Sequence, residues 1–419
     1  MEDTLLGAGL ATLVDRFWHT EDDDSPVVAT TGELPSSHQL VEEYLVLPSL
    51  ARPRYLVPVS APRAVSAAFT GHLATAKASS RALGVMVASG ARLGMLGRVT
   101  TNRLRIGLDR RIPADRRADW MILSRLAREL DVPGAYGIIA IRRQMPNSKP
   151  TARVFTQDGL ALGYLKLGWS EATDDLVENE TQTLVSLDGR VGPVTTPTVA
   201  ASGGWSGHRF HLARSLPTGV RPWSGDAGHP TAIRAVASTG WVRSVPLAGS
   251  EYAEGTVARL ERARAEGVTE AEPLLDWLRR LCRQPGAEAD LQMGRWHGDW
   301  IPWNLGKVGD TTVAWDWEYS APSAPLGFDL VHWHFQSRLA KSDGTLSVAA
   351  EAAWRNASQL SQVGVPAEHQ RLVVSAYLIE ILTRAAQLAG QGAGWNEKLR
   401  PEIRDLAAAD GELTLARGR

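Results

Sequence analysis

The segment from Trp296 to Glu318 sets carboxylates and an amide inside the most tryptophan-rich stretch of the chain. It reads Trp296-His297-Gly298-Asp299-Trp300-Ile301-Pro302-Trp303-Asn304, then Val313-Ala314-Trp315-Asp316-Trp317-Glu318. Six of the 15 tryptophans fall within the 38 residues that end at Trp333. Tryptophan at this density more often marks packing than ligand binding. The polar residues set between the rings are what make the window informative.

The rest of the composition narrows the field. The 419 residues leave room for about two to four structural units and an ample core. An apolar fraction of 44% with 22% charged residues excludes wholesale disorder. The formal charge of −1 removes the global electrostatic case for nucleic acid or an anionic membrane as partner. Cys282 is the lone cysteine, so no intrachain disulfide forms, and no Cys/His spacing resembles a zinc site. The start carries no basic region and no stretch reads as a membrane span, so the expected location is the cytoplasm.

Along the chain, the acidic run at 21–24 reads as a solvated loop. Short apolar runs at Tyr44 and Tyr55 suggest strands, and 64–91 and 113–130 have helical composition. Strands follow at 136–141, 153–156 and 160–167, then a helix at 172–187. Two more strands, near Val199 and Arg209, flank a glycine-rich hairpin, and 215–219 reads as a linker. The remainder is mostly helical. The expected organisation is an N-terminal extension over 1–130, a small antiparallel sheet with one helix over 131–216, and a helical unit over 217–419.

The window itself has the form HxDxxxxN, with Asp316 twelve residues beyond Asn304. Phosphoryl transfer requires these residue types together. One carboxylate orients the acceptor hydroxyl and takes its proton, while a second carboxylate and an amide oxygen hold magnesium. Mg2+ prefers hard oxygen ligands, which Asn304 and Asp316 offer.

This segment resembles the aminoglycoside phosphotransferase/choline kinase family, small-molecule relatives of the protein kinases. The resemblance spans about 135–410, with its firmest motifs at 160–187 and 294–331. It implies an α+β, protein-kinase-like two-lobed fold with an additional N-terminal region. It implies Asp299 as catalytic base, Asn304 and Asp316 as metal ligands, and His297 as a buttress of the loop. Asp329, in Leu326-Gly327-Phe328-Asp329-Leu330, matches the family's downstream Asp-Leu element and takes a structural role at that loop. Upstream, Lys166 on the third strand and Glu180 on the next helix supply the ion pair that aims a lysine at the donor phosphates. Glu178 competes for that role, and Glu180 is preferred because Leu184 and Leu187 follow it at the family's helix spacing. Ala213 and Ser215 fall where the family's hinge binds adenine through its backbone. The turn at Asn147, Ser148 and Lys149 sits where a phosphate-covering loop belongs, although a plain turn is the better reading of those three. His332 and His334 are expected on a packed helix rather than on a metal.

Two departures separate the chain from regulated protein kinases. Gly298 stands where those have an arginine, and only twelve residues lie between Asp316 and Asp329, too few for an activation loop. No GxGxxG is present. The expected activity is Mg2+-assisted transfer from ATP, or GTP, to a hydroxyl of an amino sugar, sugar or amino alcohol. Glu318, Glu351, Glu380 and Glu397 would suit a cationic acceptor. The competing reading is a kinase-shaped binding module serving a biosynthetic partner. Such modules lose the lysine, the base or the metal-binding Asp, and all three are present here. A protein or carrier partner would dock on 1–130.

Overall fold

The computed structural model describes residues 8–20, 25–72, 78–96, 102–141, 145–224, 229–240, 242–284 and 286–410. The acidic run at 21–24 lies outside them. The chain is α+β and divides into two compact units. The first comprises Met1–Gln144, Ser148–Thr181 and Thr198–Pro217, and the second Met145–Asn147, Gln182–Pro197 and Thr218–Arg419.

The first unit is built on one nine-stranded sheet. Its spatial order is Val27–Thr30, Arg103–Asp109, His38–Leu47, Tyr55–Pro58, Tyr136–Ala140, Thr151–Phe155, Ala161–Leu167, His208–Ala213 and Val199–Trp205. Every neighbouring pair is antiparallel. Side chains alternate between two cores, as the period of two in a strand requires. Tyr44, Val46 and Leu56 face one core, and Leu45, Leu47 and Val57 face the other. The helices Pro62–His72 and Ala78–Arg92 cover the second face with Val65, Phe69, Val87 and Ala91. The helices Ala8–Trp18 and Ile122–Glu129 cover the first with Leu10, Phe17, Trp18 and Leu126.

The sheet is larger than the small one expected. Residues read as a separate extension supply four of its strands, and Tyr55–Pro58 pairs directly with Tyr136–Ala140. The pairing covers what would otherwise be an open sheet edge, a row of unsatisfied backbone groups. The boundary placed between 130 and 131 therefore falls inside one unit.

The second unit is mainly helical, with a five-stranded and a three-stranded sheet. Its longest helix, Gln370–Gly390, is buried at every position from Leu372 to Ala386. The span Ala367–Gly390 is long and apolar enough to cross a membrane, but 83% of its apolar window is buried within the protein. An all-round apolar helix is what a core position demands. The strand Asp290–Trp296 leads into the loop that carries His297 and Asp299, and the hairpin of Leu305–Val308 with Thr311–Ala314 leads to Asp316.

Candidate active site

The loop after Trp296 is fixed through its backbone. Asp329, in the first turn of helix Phe328–Leu339, accepts hydrogen bonds from the amides of His297 at 2.8 Å and Gly298 at 3.0 Å. Burial pushes its carboxyl up to about 7, and the two amide donations work against that rise. His297 is fully buried, and desolvation lowers its pKa to about 4. The neutral ring donates from Nε2 to the Trp315 carbonyl at 3.1 Å and accepts the Asp299 amide on Nδ1 at 3.1 Å. It thereby ties the loop of Asp299 to the segment of Asp316.

A glycine at position 298 has a structural reason. Its φ is +88°, and a Cβ there would collide with the Tyr319 carbonyl oxygen. The same backbone is gripped by Arg384. Its guanidinium donates to the Gly298 carbonyl at 2.8 Å and to that of Tyr319 at 3.2 Å, and it lies over the Trp296 ring. Glu380 holds Arg384 at 2.9 Å and binds Arg259 through both oxygens. Against the opposing effect of burial, the two arginines hold the Glu380 carboxyl down at about 2. Glu380 is therefore not the acceptor ligand that the sequence suggested: it is buried and fully engaged. Glu351 is likewise paired, with Arg355 one turn on.

The Asp299 carboxylate is held at both oxygens. Asn304 Nδ2 donates to Oδ2 at 2.7 Å and to the Asp299 carbonyl at 3.1 Å. His332 Nε2 lies 2.9 Å from Oδ1. The side chain remains 22% exposed, enough to meet a substrate. Two carboxylate oxygens offer about four acceptor sites, so capacity for a hydroxyl remains.

Asp316 follows the strand Thr311–Ala314 in a left-handed conformation, φ +72°. A non-glycine residue in this region stores strain, of the kind that collects at functional sites. Its carboxylate and that of Glu318 offer oxygens within 4.8 Å of one another, a spacing that one divalent cation satisfies. The Asn304 amide nitrogen is committed to Asp299, which leaves the side-chain oxygen as the atom of the chemistry Mg2+ selects. Asp316 and Glu318 are therefore residues that could hold a divalent cation. Glu318 was not expected among them. It is buried, with Asn147 Nδ2 3.5 Å from its Oε1.

In the first unit, Lys166 Nζ lies 2.5 Å from Glu180 Oε2, and Glu180 is 3% exposed. Glu178, the competing carboxylate, sits 3.7 Å from Arg209 instead. His211, opposite Lys166 in the sheet register, brings Nε2 to 3.6 Å from the same Glu180 oxygen. Ala213 closes the strand His208–Ala213, and Ser215 lies just beyond, outside regular structure. Ser148 accepts the Trp169 indole N–H at 2.8 Å through its carbonyl.

Two residues at the site escaped the sequence reading: Tyr377 and Arg384. His332 does lie on a packed helix, as expected, but its ring reaches Asp299.

No protein-family model and no curated protein matches the chain. Among solved structures, it is similar to the apo form of a thermostable mutant of aminoglycoside phosphotransferase APH(4)-Ia. That match has 11% identity and a TM-score of 0.46, over 71% of this chain and 99% of that one. A putative fructosamine-3-kinase from Haemophilus somnus matches at 11% identity and TM-score 0.38, over 65% and 95% of the two chains. Choline kinase LicA from Streptococcus pneumoniae matches at 11% and 0.40, over 63% and 89%.

Proposed function

We propose that the chain is a small-molecule kinase, transferring the γ-phosphoryl group of ATP, or GTP, to a hydroxyl of a small acceptor. The observation that carries this reading is the Asp299 carboxylate, held by Asn304 in a loop pinned by Asp329. Asp299 accepts a hydrogen bond from the acceptor hydroxyl, aligns its oxygen for in-line attack, and takes the proton as the new O–P bond forms and the bond from the γ-phosphorus to the β–γ bridging oxygen breaks, releasing the nucleoside diphosphate. Asn304 and Asp316, together with Glu318, would hold Mg2+. The ion supplies charge neutralisation at the donor phosphates. Lys166, oriented by Glu180, binds those phosphates, and the backbone about Ala213 and Ser215 receives the base. The acceptor is an amino sugar, a sugar or an amino alcohol. Fold and catalytic loop do not encode that choice. The binding-module reading is disfavoured because base, metal residues and lysine are all retained.

Thermal unfolding with ATP and GTP, with and without magnesium, tests the donor half without knowledge of the acceptor. A ligand that binds only the folded state raises the melting temperature by mass action. A magnesium-dependent rise that disappears in Asp316→Ala supports the reading. No rise with either nucleotide moves the assignment to a binding module.

A further inference from the structure

We infer that His332 and Tyr377 are positioning residues for Asp299, fixing its carboxylate through a hydrogen-bonded chain from helix Gln370–Gly390 to the catalytic loop. The inference rests on the reading of Asp299 as the base. His332 Nε2 is 2.9 Å from Asp299 Oδ1, and His332 Nδ1 is 2.9 Å from the Tyr377 hydroxyl. Both rings are buried, His332 at 1% and Tyr377 at 0% exposure.

The direction of the chain follows from the donors and acceptors. Desolvation lowers the His332 pKa, so the ring is neutral and carries one proton. An ionised carboxylate only accepts, which places that proton on Nε2. Nδ1 is then an acceptor, and the Tyr377 phenol is the donor that matches it. Burial raises the Tyr377 pKa well above its ordinary value, so the phenol keeps its proton. Tyr377 thus selects the tautomer that can donate to Asp299. Of the charged groups nearby, Asp329 accepts the amides of His297 and Gly298, and Arg384 is committed to Glu380 and to the carbonyls of Gly298 and Tyr319, so the arginine does not compete for the carboxylate.

The consequence is geometric. With Oδ2 held by Asn304 and Oδ1 by His332, rotation about the Cβ–Cγ bond of Asp299 is stopped from both sides. Restricting a base to the orientation of attack acts on turnover, and it leaves nucleotide binding untouched. Asp329 and His332 lie at i and i+3 on one helix face, so a single turn fixes both the loop backbone and the side chain it presents.

The test has two arms. The imidazole 15N resonances of the full-length wild type report the tautomer of His332 with no acceptor present. Protonation at Nε2, weakened or lost in Tyr377→Phe, is expected; protonation at Nδ1 in the wild type overturns the proposal. With an acceptor found by screening, His332→Leu should lower kcat by roughly 10–100-fold, the scale for losing an orienting partner, with KM for the nucleotide held within about twofold. His332→Gln keeps an N–H donor at the same reach and should recover most of kcat, and it covers the case in which the leucine variant does not fold. Unchanged kcat in a folded His332→Leu, or equal losses in the Leu and Gln variants, would contradict the positioning role. Asp299→Asn separates the two claims: full turnover there removes the base assignment, and the proposal falls with it for that distinct reason.

Discussion

Asn304 Nδ2 lies 2.7 Å from Asp299 Oδ2 and 3.1 Å from the Asp299 carbonyl oxygen, so one amide closes the loop on its own carboxylate. The nitrogen serves Asp299, and in the proposed function the oxygen would serve a hard cation. Asn304→Ala removes both at once. Turnover should fall by roughly 10–100-fold, the scale for perturbing a partner in a metal site, with the magnesium needed for half-maximal rate rising. A magnesium titration of the initial rate checks this, and an unchanged titration would remove Asn304 from the metal.

Gly298→Ala tests the turn that carries the loop. The new Cβ meets the Tyr319 carbonyl, and φ of +88° disfavours any L side chain. A loss of at least about 1–3 kcal/mol is expected from overpacking and backbone strain. Denaturant unfolding reads it, and stability equal to wild type would mean that the loop relaxes without cost.

Glu380 joins two arginines in the core of the second unit. Glu380→Ala leaves Arg259 and Arg384 without their shared carboxylate, and breaking a buried pair in this way costs about 3–5 kcal/mol. Activity should fall with it, because Arg384 grips the Gly298 carbonyl. A stable variant with altered acceptor preference would return Glu380 to the acceptor site.

Glu42, in the first unit, gives stability a pH dependence of known sign. Its Oε2 accepts the Trp18 indole N–H at 3.0 Å and the Tyr44 hydroxyl at 2.8 Å. Burial pushes its carboxyl from 4.5 to about 7, with those two hydrogen bonds opposing the rise. Between those values the folded chain binds more protons at Glu42 than the unfolded chain does. Its contribution is therefore fully present below about pH 4.5 and lost as pH rises through about 7. Stability curves of wild type and Glu42→Gln should draw apart in that direction across this window. Curves parallel from pH 4.5 to 8 would show that Glu42 titrates normally.

Which side chains would meet was legible in the sequence only in part. The Lys166–Glu180 pair was implied by the family resemblance and not by local periodicity, and Glu178, two residues earlier, turns to Arg209 because a helix rotates about 200° over two positions. His332 was read as packed, which it is, but its bond to Asp299 links positions 33 apart in sequence. The usable signal was the i, i+3 spacing from Asp329, which puts His332 on the face that meets the loop. Glu380 and Arg384, one turn apart in an apolar helix, carried a similar signal for a buried pair. The N-terminal strands were harder. Val27–Thr30 pairs with Arg103–Asp109, and nothing local in either segment names the other. Non-local register of this kind is set by which faces bury together.

The most direct test of the account follows the phosphoryl group itself. Wild type and Asp299→Asn would be incubated with γ-labelled ATP, magnesium and a panel of amino sugars, sugars and amino alcohols, with nucleotide affinity measured on the same preparations. The account predicts label transferred to a hydroxyl-bearing acceptor by wild type, and loss of that transfer in Asp299→Asn with nucleotide affinity retained. Transfer at the wild-type rate by Asp299→Asn would contradict it.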